Sequence, residues 1–101
     1  MVTEIVNSNI VELCKYLLEY DSQKSMVNNY EDLIKFCKWE TPDFISEKVN
    51  IDKAIILKTL KFIESEKGFV VIPKNDGLPC FRVDSEKCNI LIVEFSKIRM
   101  S

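Results

Sequence analysis

Apolar residues recur every three or four positions between residues 9 and 20, which predicts an amphipathic helix. Asn9 and Glu12 have the spacing of a capping box at its start. Polar residues 21–25 interrupt the pattern, and residues 26–27 are predicted to form a short strand.

A second helix is predicted to begin after a cap at Asn28 or Asn29. Its inward positions are Tyr30, Leu33, Ile34 and Cys37. Residues 41–42 end it, because proline disfavours the helical region for the residue before it. Residues 43–50 carry apolar side chains at spacings that fit either a short helical turn or an irregular connection.

The strongest helical pattern begins at Asn50 or Asp52 and continues to about Lys67. One stripe at the helical period is predicted to face the core, and it consists of Ile56, Leu57, Leu60 and Ile63. Gly68 follows at the C-terminal capping position, which often requires a positive φ.

After Gly68 the pattern becomes that of strands. Residues 69–72 and 80–83 are predicted to pair across residues 73–79, a turn that holds Asn, Asp and Gly between two prolines and suits a projecting wing. The run 90–95, which is apolar except for Glu94, is predicted as a third strand, within a C-terminal strand extension over residues 88–96.

This order of elements is that of a winged-helix domain. The sequence therefore predicts an α+β fold, in which three main helices pack on a small antiparallel sheet with a β-hairpin wing. Residues 1–101 form a single domain in this interpretation, with the core at about residues 9–83. Winged helices include both DNA readers and protein-interaction modules, so the fold alone does not decide the function.

Composition fits one soluble domain. The chain has 101 residues, a formal net charge of -2 and 47% hydrophobic residues. No apolar run approaches the roughly 20 residues that a membrane-spanning helix needs. Residues 1–4 lack the basic start of a signal peptide. We therefore expect a soluble cytoplasmic protein.

The sequence lacks the residues that several kinds of catalytic site require. The chain has no histidine and only two glycines, which excludes histidine-dependent triads and glycine-rich phosphate loops. Its four cysteines contain no C-x-x-C pair, so we expect reduced core thiols instead of a zinc site. The spacings of Glu64 with Glu66 and of Asp84 with Glu86 support no acid–base pair. We expect no enzymatic activity, no cofactor and no metal.

Charge argues against a DNA reader, which needs Lys and Arg to contact phosphates. Residues 51–82 hold six basic and four acidic residues, and the third helix has no arginine. Residues 39–50 are also longer than the 3–4-residue turn of a helix-turn-helix. A winged-helix DNA-binding transcriptional regulator is therefore the second hypothesis, and nucleic acid is the less favoured partner.

Between residues 10 and 83 the chain resembles the second winged-helix domain of the vacuolar protein sorting-associated protein 25 family, the small subunit of the ESCRT-II complex. The segments that carry the resemblance are residues 12–17, 30–33, 43–44, 51–60, Glu66, 69–72, 76–77 and Phe81. Residues 51–60 match best, and most of the matching positions are core and turn residues.

The resemblance implies a non-catalytic adaptor in endosomal sorting, a step of protein transport. Its partner would be a helical segment of an ESCRT-III subunit, and its contact with the membrane would be indirect. A cytoplasmic, endosome-associated location follows from the same resemblance.

A candidate partner surface lies on the flank of the third helix. Ile55 and Phe62 are seven residues apart and lie away from the core stripe, with Lys58 and Thr59 beside them. An apolar pair ringed by lysines can accept an amphipathic helix. Leu78 in the wing is a further candidate contact. Alternatively, Ile55 and Phe62 belong to the core and are covered by residues 43–49 or by the first helix.

Overall fold

The computed structural model describes residues 6–73 and 76–100, and it describes side chains as far as residue 96. Helices surround one two-stranded antiparallel sheet, which makes the fold α+β. The elements in chain order are α1 (Asn7–Ser25), α2 (Tyr30–Ile34), a 3-10 helix (Lys35–Glu40), α3 (Pro42–Val49), α4 (Lys53–Ser65), β1 (Phe69–Val71), β2 (Phe81–Val83) and α5 (Ser85–Met100).

Helix α1 is longer at both ends than its apolar pattern predicts. Val6 is its N-cap residue, so the predicted capping box at Asn9 is wrong. At the other end, Tyr20 is fully buried, and the helix continues through polar residues 21–25. Residues 26–27 form no strand, which corrects that prediction.

The region between α1 and α4 contains three short helical segments. Asn29 caps α2 by accepting the Asp32 N–H at 2.8 Å, as the sequence predicts. Thr41 caps α3 through the Phe44 N–H, and Pro42 stands in the first turn, where its missing N–H is tolerated. Residues 43–50, which the sequence left open, are therefore largely helical.

The end of α4 forms a Schellman motif. The Gly68 N–H donates to the Ile63 carbonyl at 2.9 Å, and the Lys67 N–H donates to the Glu64 carbonyl at 3.0 Å. Lys67 has the positive φ of 68°, so the prediction of that geometry for Gly68 is wrong. Gly68 serves close packing instead, because a Cβ there would lie 2.5 Å from Ile63 Cγ2.

Strands β1 and β2 form the predicted hairpin, with Val70 opposite Arg82. The Phe81 backbone faces away from β1, where its N–H donates to Glu40 Oε2 at 2.7 Å and its carbonyl accepts from Lys24 Nζ at 2.8 Å. Two residues of the predicted wing, Lys74 and Asn75, lie outside the described residues.

The predicted third strand at residues 90–95, and with it the strand extension over 88–96, is wrong. These residues belong to α5, which is capped at its start because the Lys87 N–H donates to Asp84 Oδ1 at 3.1 Å. Helix α5 packs along α1, and Cys88 and Leu91 are buried there. The core thus extends beyond the predicted limit at residue 83.

The buried core joins α1, α3, α4, β1 and α5. Its members, including three side chains of α4 and five of α1, pack into one cluster: Ile10, Leu13, Cys14, Tyr16, Leu17, Ile45, Ile56, Leu60, Ile63, Phe69, Cys88 and Leu91. All four cysteines are free thiols. In the part of the chain that the structure describes, no helix has the length and apolar character that crossing a membrane requires.

Candidate functional site

A groove of about 480 Å³ lies between α4 and the β1–β2 hairpin. Most of its lining is apolar, and charged side chains stand at its rim. The lining residues are Glu40, Pro42, Leu57, Lys58, Leu60, Lys61, Glu64, Phe69, Val71 and Phe81. An apolar concavity with a few charged groups at its edge is typical of sites that accept apolar side chains of a partner.

The apolar walls of the groove are open to solvent. Leu57 on α4 is 52% exposed, and Val71 on β1 is 42% exposed. Leu60 and Phe69, which also line the groove, are buried and belong to the core. The groove therefore rests on the fixed core of the molecule while two aliphatic side chains remain available for contact.

Charged side chains of α4 and of the 3-10 helix contribute to the rim. Lys58 and Lys61 on α4 are exposed, as is Glu64 on the next turn. The carboxylate of Glu40 accepts hydrogen bonds from the Tyr20 hydroxyl at 2.5 Å and from the Phe81 N–H at 2.7 Å. Glu40 is therefore held by groups inside the protein, and the charged side chains of α4 at this rim are exposed.

Aromatic packing fixes the 3-10 helix that carries Glu40. The Tyr16 hydroxyl donates to the Trp39 carbonyl at 2.6 Å, and the rings of these two residues stack with centroids 5.7 Å apart. Phe36 packs against both Trp39 and Tyr20. Burial, followed by the hydrogen bond to Glu40, raises the pKa of the Tyr20 hydroxyl above its ordinary value.

The structure does not bring the five predicted contact residues together. Lys58 lines the groove, but Leu78 lies in another depression, beside Lys24, Leu33 and Arg82. Ile55 is partly buried and does not line the groove. The predicted surface is thus divided, and only its lysine belongs to the groove.

Thr59 and Phe62 have packing roles inside the protein. Thr59 is fully buried, and its hydroxyl donates to the Ile55 carbonyl at 2.7 Å, so its predicted contact with a partner is wrong. Phe62 is partly buried and meets Phe95 of α5 edge to face, with ring centroids 5.7 Å apart. The sequence analysis allowed a core role for Phe62 under residues 43–49 or under the first helix. In the structure the contact comes from α5 instead.

Leu57 and Val71 were not identified from the sequence as surface residues. The sequence predicts that Leu57 belongs to the buried stripe of α4 together with Ile56, Leu60 and Ile63. Those three side chains are buried, but Leu57 is exposed. Adjacent apolar residues such as Ile56 and Leu57 point about 100° apart on a helix, so one of the two had to leave the centre of the stripe. This angle between Ile56 and Leu57 was the signal in the sequence that could have identified Leu57 as a surface residue.

The connection between α3 and α4 has the length of a helix-turn-helix turn. Helix α3 ends at Val49 and α4 begins at Lys53, so three residues join them. Asn50 adopts the left-handed conformation, with φ 58° and ψ 48°. The sequence-based argument that this connection is too long is wrong, because residues 43–49 are themselves helical.

Comparison with known proteins gives no relative from which a function could be transferred. No protein-family model, no curated protein and no solved structure matches the chain.

Proposed function

We propose that this chain is a non-catalytic protein-interaction module of winged-helix type, which binds a helical segment of a partner protein in the groove between α4 and the hairpin. The observation that carries the proposal is the exposure of Leu57 beside Val71 in an apolar groove. Exposed aliphatic side chains lining one concavity favour association with an apolar partner surface.

The winged-helix assignment rests on the order of the elements. Helices α1, α3 and α4 followed by the β1–β2 hairpin correspond to the helices and wing of that fold, and the segment 26–27 takes the place of its first strand without pairing. Helix α2, the 3-10 helix and α5 are additions to this arrangement. The resemblance to the ESCRT-II small subunit covers segments of the shared elements and also residues 30–33 of α2.

The groove suits an amphipathic helix with large apolar side chains. Leu57 and Val71 would contact that apolar face, and Lys61 at the rim would favour a carboxylate on a neighbouring turn of the partner. A helical segment of an ESCRT-III subunit is the partner that the sequence resemblance suggests. Membrane association of the module would then be indirect, through that partner.

Binding of labelled helical peptides from ESCRT-III subunits, followed by fluorescence anisotropy, tests the proposal. We expect Leu57→Ala to weaken binding about tenfold, because about 1.4 kcal/mol of apolar contact is lost. Lys61→Glu should also weaken binding of a peptide that carries a carboxylate. Circular dichroism should show unchanged helix content in both variants, since both side chains are exposed.

Ile34→Ala is the matched control. Ile34 is an exposed aliphatic side chain on α2, and it does not line the groove. Peptide binding by this variant should equal that of the wild type. The proposal is wrong if Leu57→Ala and Ile34→Ala bind equally well, or if no ESCRT-III peptide binds the wild type.

The three-residue turn between α3 and α4 favours DNA binding as a second candidate function. In a helix-turn-helix the second helix enters the major groove, and here that helix presents Lys58 and Lys61 to solvent. The overall charge of -2 and the absence of arginine from α4 weigh against it.

Titration with nonspecific duplex DNA at low and at physiological salt separates the two functions. Micromolar binding that falls steeply with salt and is lost in Lys58→Glu and Lys61→Glu would establish the DNA-binding function. If the peptide binds and DNA does not, the protein-interaction function stands.

A further inference from the structure

The outer face of α5 exposes apolar side chains that the core does not use. Ile90 is 52% exposed and Val93 is 56% exposed, whereas Cys88 and Leu91 on the opposite face are buried against α1. Ile90 and Val93 lie three residues apart and therefore share one side of the helix. They form a shallow depression together with Glu86, Asn89 and Glu94.

This face has the spacing of a coiled-coil seam. Glu86, Ile90 and Val93 are separated by four and three residues, which is the alternation of the two seam positions in a heptad. Lys87 and Glu94 are seven residues apart and thus lie along one edge of the same face, and both are exposed. The edge carries opposite charges at its two ends.

We propose that the outer face of α5 is a dimerisation surface, on which α5 of a second copy of this chain lies antiparallel. The dimer has two-fold symmetry, so each contact occurs twice. The surface is separate from the groove at α4, and the proposal does not depend on the function proposed for that groove.

The second copy is the occupant because the face is complementary to itself in this register. Antiparallel pairing centred between Ile90 and Val93 places Ile90 opposite Val93 of the second copy, so the apolar residues meet at the symmetry axis. In an antiparallel helix pair, residues on one edge of a helix meet the same edge of the other. Lys87 then lies beside Glu94 of the second copy, which gives two opposite-charge contacts.

The predicted dimer is weak. Helix α5 has 16 residues, and a helix of that length extends only about 24 Å, so a single two-helix seam belongs to the small interfaces. We expect a dissociation constant of roughly tens to hundreds of micromolar.

Sedimentation equilibrium of the full chain, from low-micromolar to near-millimolar concentration, tests this proposal. The wild type should change from monomer to dimer over this range. Val93→Glu should remain monomeric, because it places four carboxylates around the symmetry axis together with Glu86 of both copies. Circular dichroism will verify that the variant keeps its helix content, which is expected because Val93 is exposed.

Charge exchange tests the register. Lys87→Glu and Glu94→Lys should each weaken the dimer about fivefold, as expected for two exposed ion pairs that become repulsive. The double variant Lys87→Glu/Glu94→Lys should recover wild-type association, since it restores opposite charges with the sign reversed.

Four results would overturn the proposal. A wild type that stays monomeric at near-millimolar concentration would show that a second copy does not occupy this face. Dimerisation that persists in Val93→Glu, or that is lost in Leu57→Ala instead, would place the interface elsewhere. Failure of the double variant to recover association would contradict the antiparallel register.

Discussion

Tyr20 connects three parts of the molecule. Its side chain is fully buried on α1, its hydroxyl donates to Glu40 of the 3-10 helix, and its ring contacts Phe81 of β2 edge to face. Phe36 meets the same ring at a centroid distance of 6.0 Å. The protonated hydroxyl is therefore part of the contact between the helices and the hairpin.

This contact predicts a loss of stability at alkaline pH. The ordinary pKa of tyrosine is 10.0, and burial with the Glu40 hydrogen bond raises the pKa of Tyr20 above that value. Since the folded-state pKa exceeds the unfolded one, the contribution of the neutral hydroxyl is complete below about pH 10 and is lost as the pH rises further. Urea unfolding at pH values from about 8 to 11 measures the effect.

Tyr20→Phe should show a weaker decrease of the free energy of unfolding above pH 10 than the wild type. Burial also raises the pKa of Tyr16, so part of the pH dependence should remain. Tyr30→Phe removes an exposed hydroxyl and should behave like the wild type. Equal pH dependence in the wild type and Tyr20→Phe would contradict the prediction.

Alanine substitutions at Phe62 and at Leu57 should differ in their effect on stability. Phe62→Ala should lower the free energy of unfolding by about 2 kcal/mol, because the contact with Phe95 and part of the core packing are lost. Leu57→Ala should change it by less than about 0.5 kcal/mol, since its side chain is half exposed. Thermal and urea unfolding measure both values, and similar losses in the two variants would refute this distinction.

At the scale of elements, Lys67 at the end of α4 has a strained backbone conformation. Lys67 has a φ of 68°, a conformation that costs a residue with a Cβ roughly 1 kcal/mol relative to glycine. The glycine of this turn, Gly68, does not occupy the position with positive φ. Gly68 is instead needed one residue later, where Ile63 approaches closely and where its N–H donates to the Ile63 carbonyl.

Lys67→Gly should therefore raise the free energy of unfolding by about 1 kcal/mol. Lys61→Gly is the control of opposite sign, because glycine inside a helix lowers stability by a similar amount. Chemical denaturation of both variants decides the prediction, and destabilisation by Lys67→Gly would count against it.

The elements differ in how far their sequence determines them. Helix α4 and the hairpin follow from local pattern, because periodic apolar residues and turn residues act within a few positions of each other. The sequence predicts a strand within α5 because residues 90–93 form a continuous apolar run, which does not distinguish a strand from a helix. Asp84 as a capping residue and the helical spacing of Cys88, Leu91 and Phe95 were the signals for the helix.

The candidate site was less predictable than the fold, because it depends on contacts between distant elements. Phe62 appears free on a helical wheel until α5 supplies Phe95. In contrast, Leu57 appears buried until the hairpin and α4 leave a groove between them. Neither fact is contained in the pattern of α4 alone.

At the scale of the whole molecule, α5 completes the core by covering one side of α1. The thiols of Cys14 and Cys88 meet in this contact, where hydrogen bonding between them and burial raise the pKa of Cys14. The thiol of Cys88 donates its own proton to the Gly68 carbonyl, with Sγ and oxygen 3.4 Å apart. Helix α5 thereby contacts both α1 and the start of the hairpin.

Removal of residues 85–101 should abolish cooperative thermal unfolding, because the apolar side of α1 would face water. Two point variants sharpen the test. Leu91→Ala should cost about 3 kcal/mol, whereas Ile90→Ala in dilute solution should cost little, since Leu91 is buried and Ile90 is exposed. A sharp unfolding transition in the truncated chain would disprove this role of α5.

The hydrogen bonds around Phe81 also bear on solubility. Lys24 and Glu40 occupy the outward carbonyl and N–H of Phe81, through which the edge of β2 could pair with a strand of another molecule. Open strand edges are common starting points for aggregation, and covering them with charged side chains is a frequent protection. The two residues therefore help to keep a sheet of only two strands from extending into neighbouring molecules in concentrated solution.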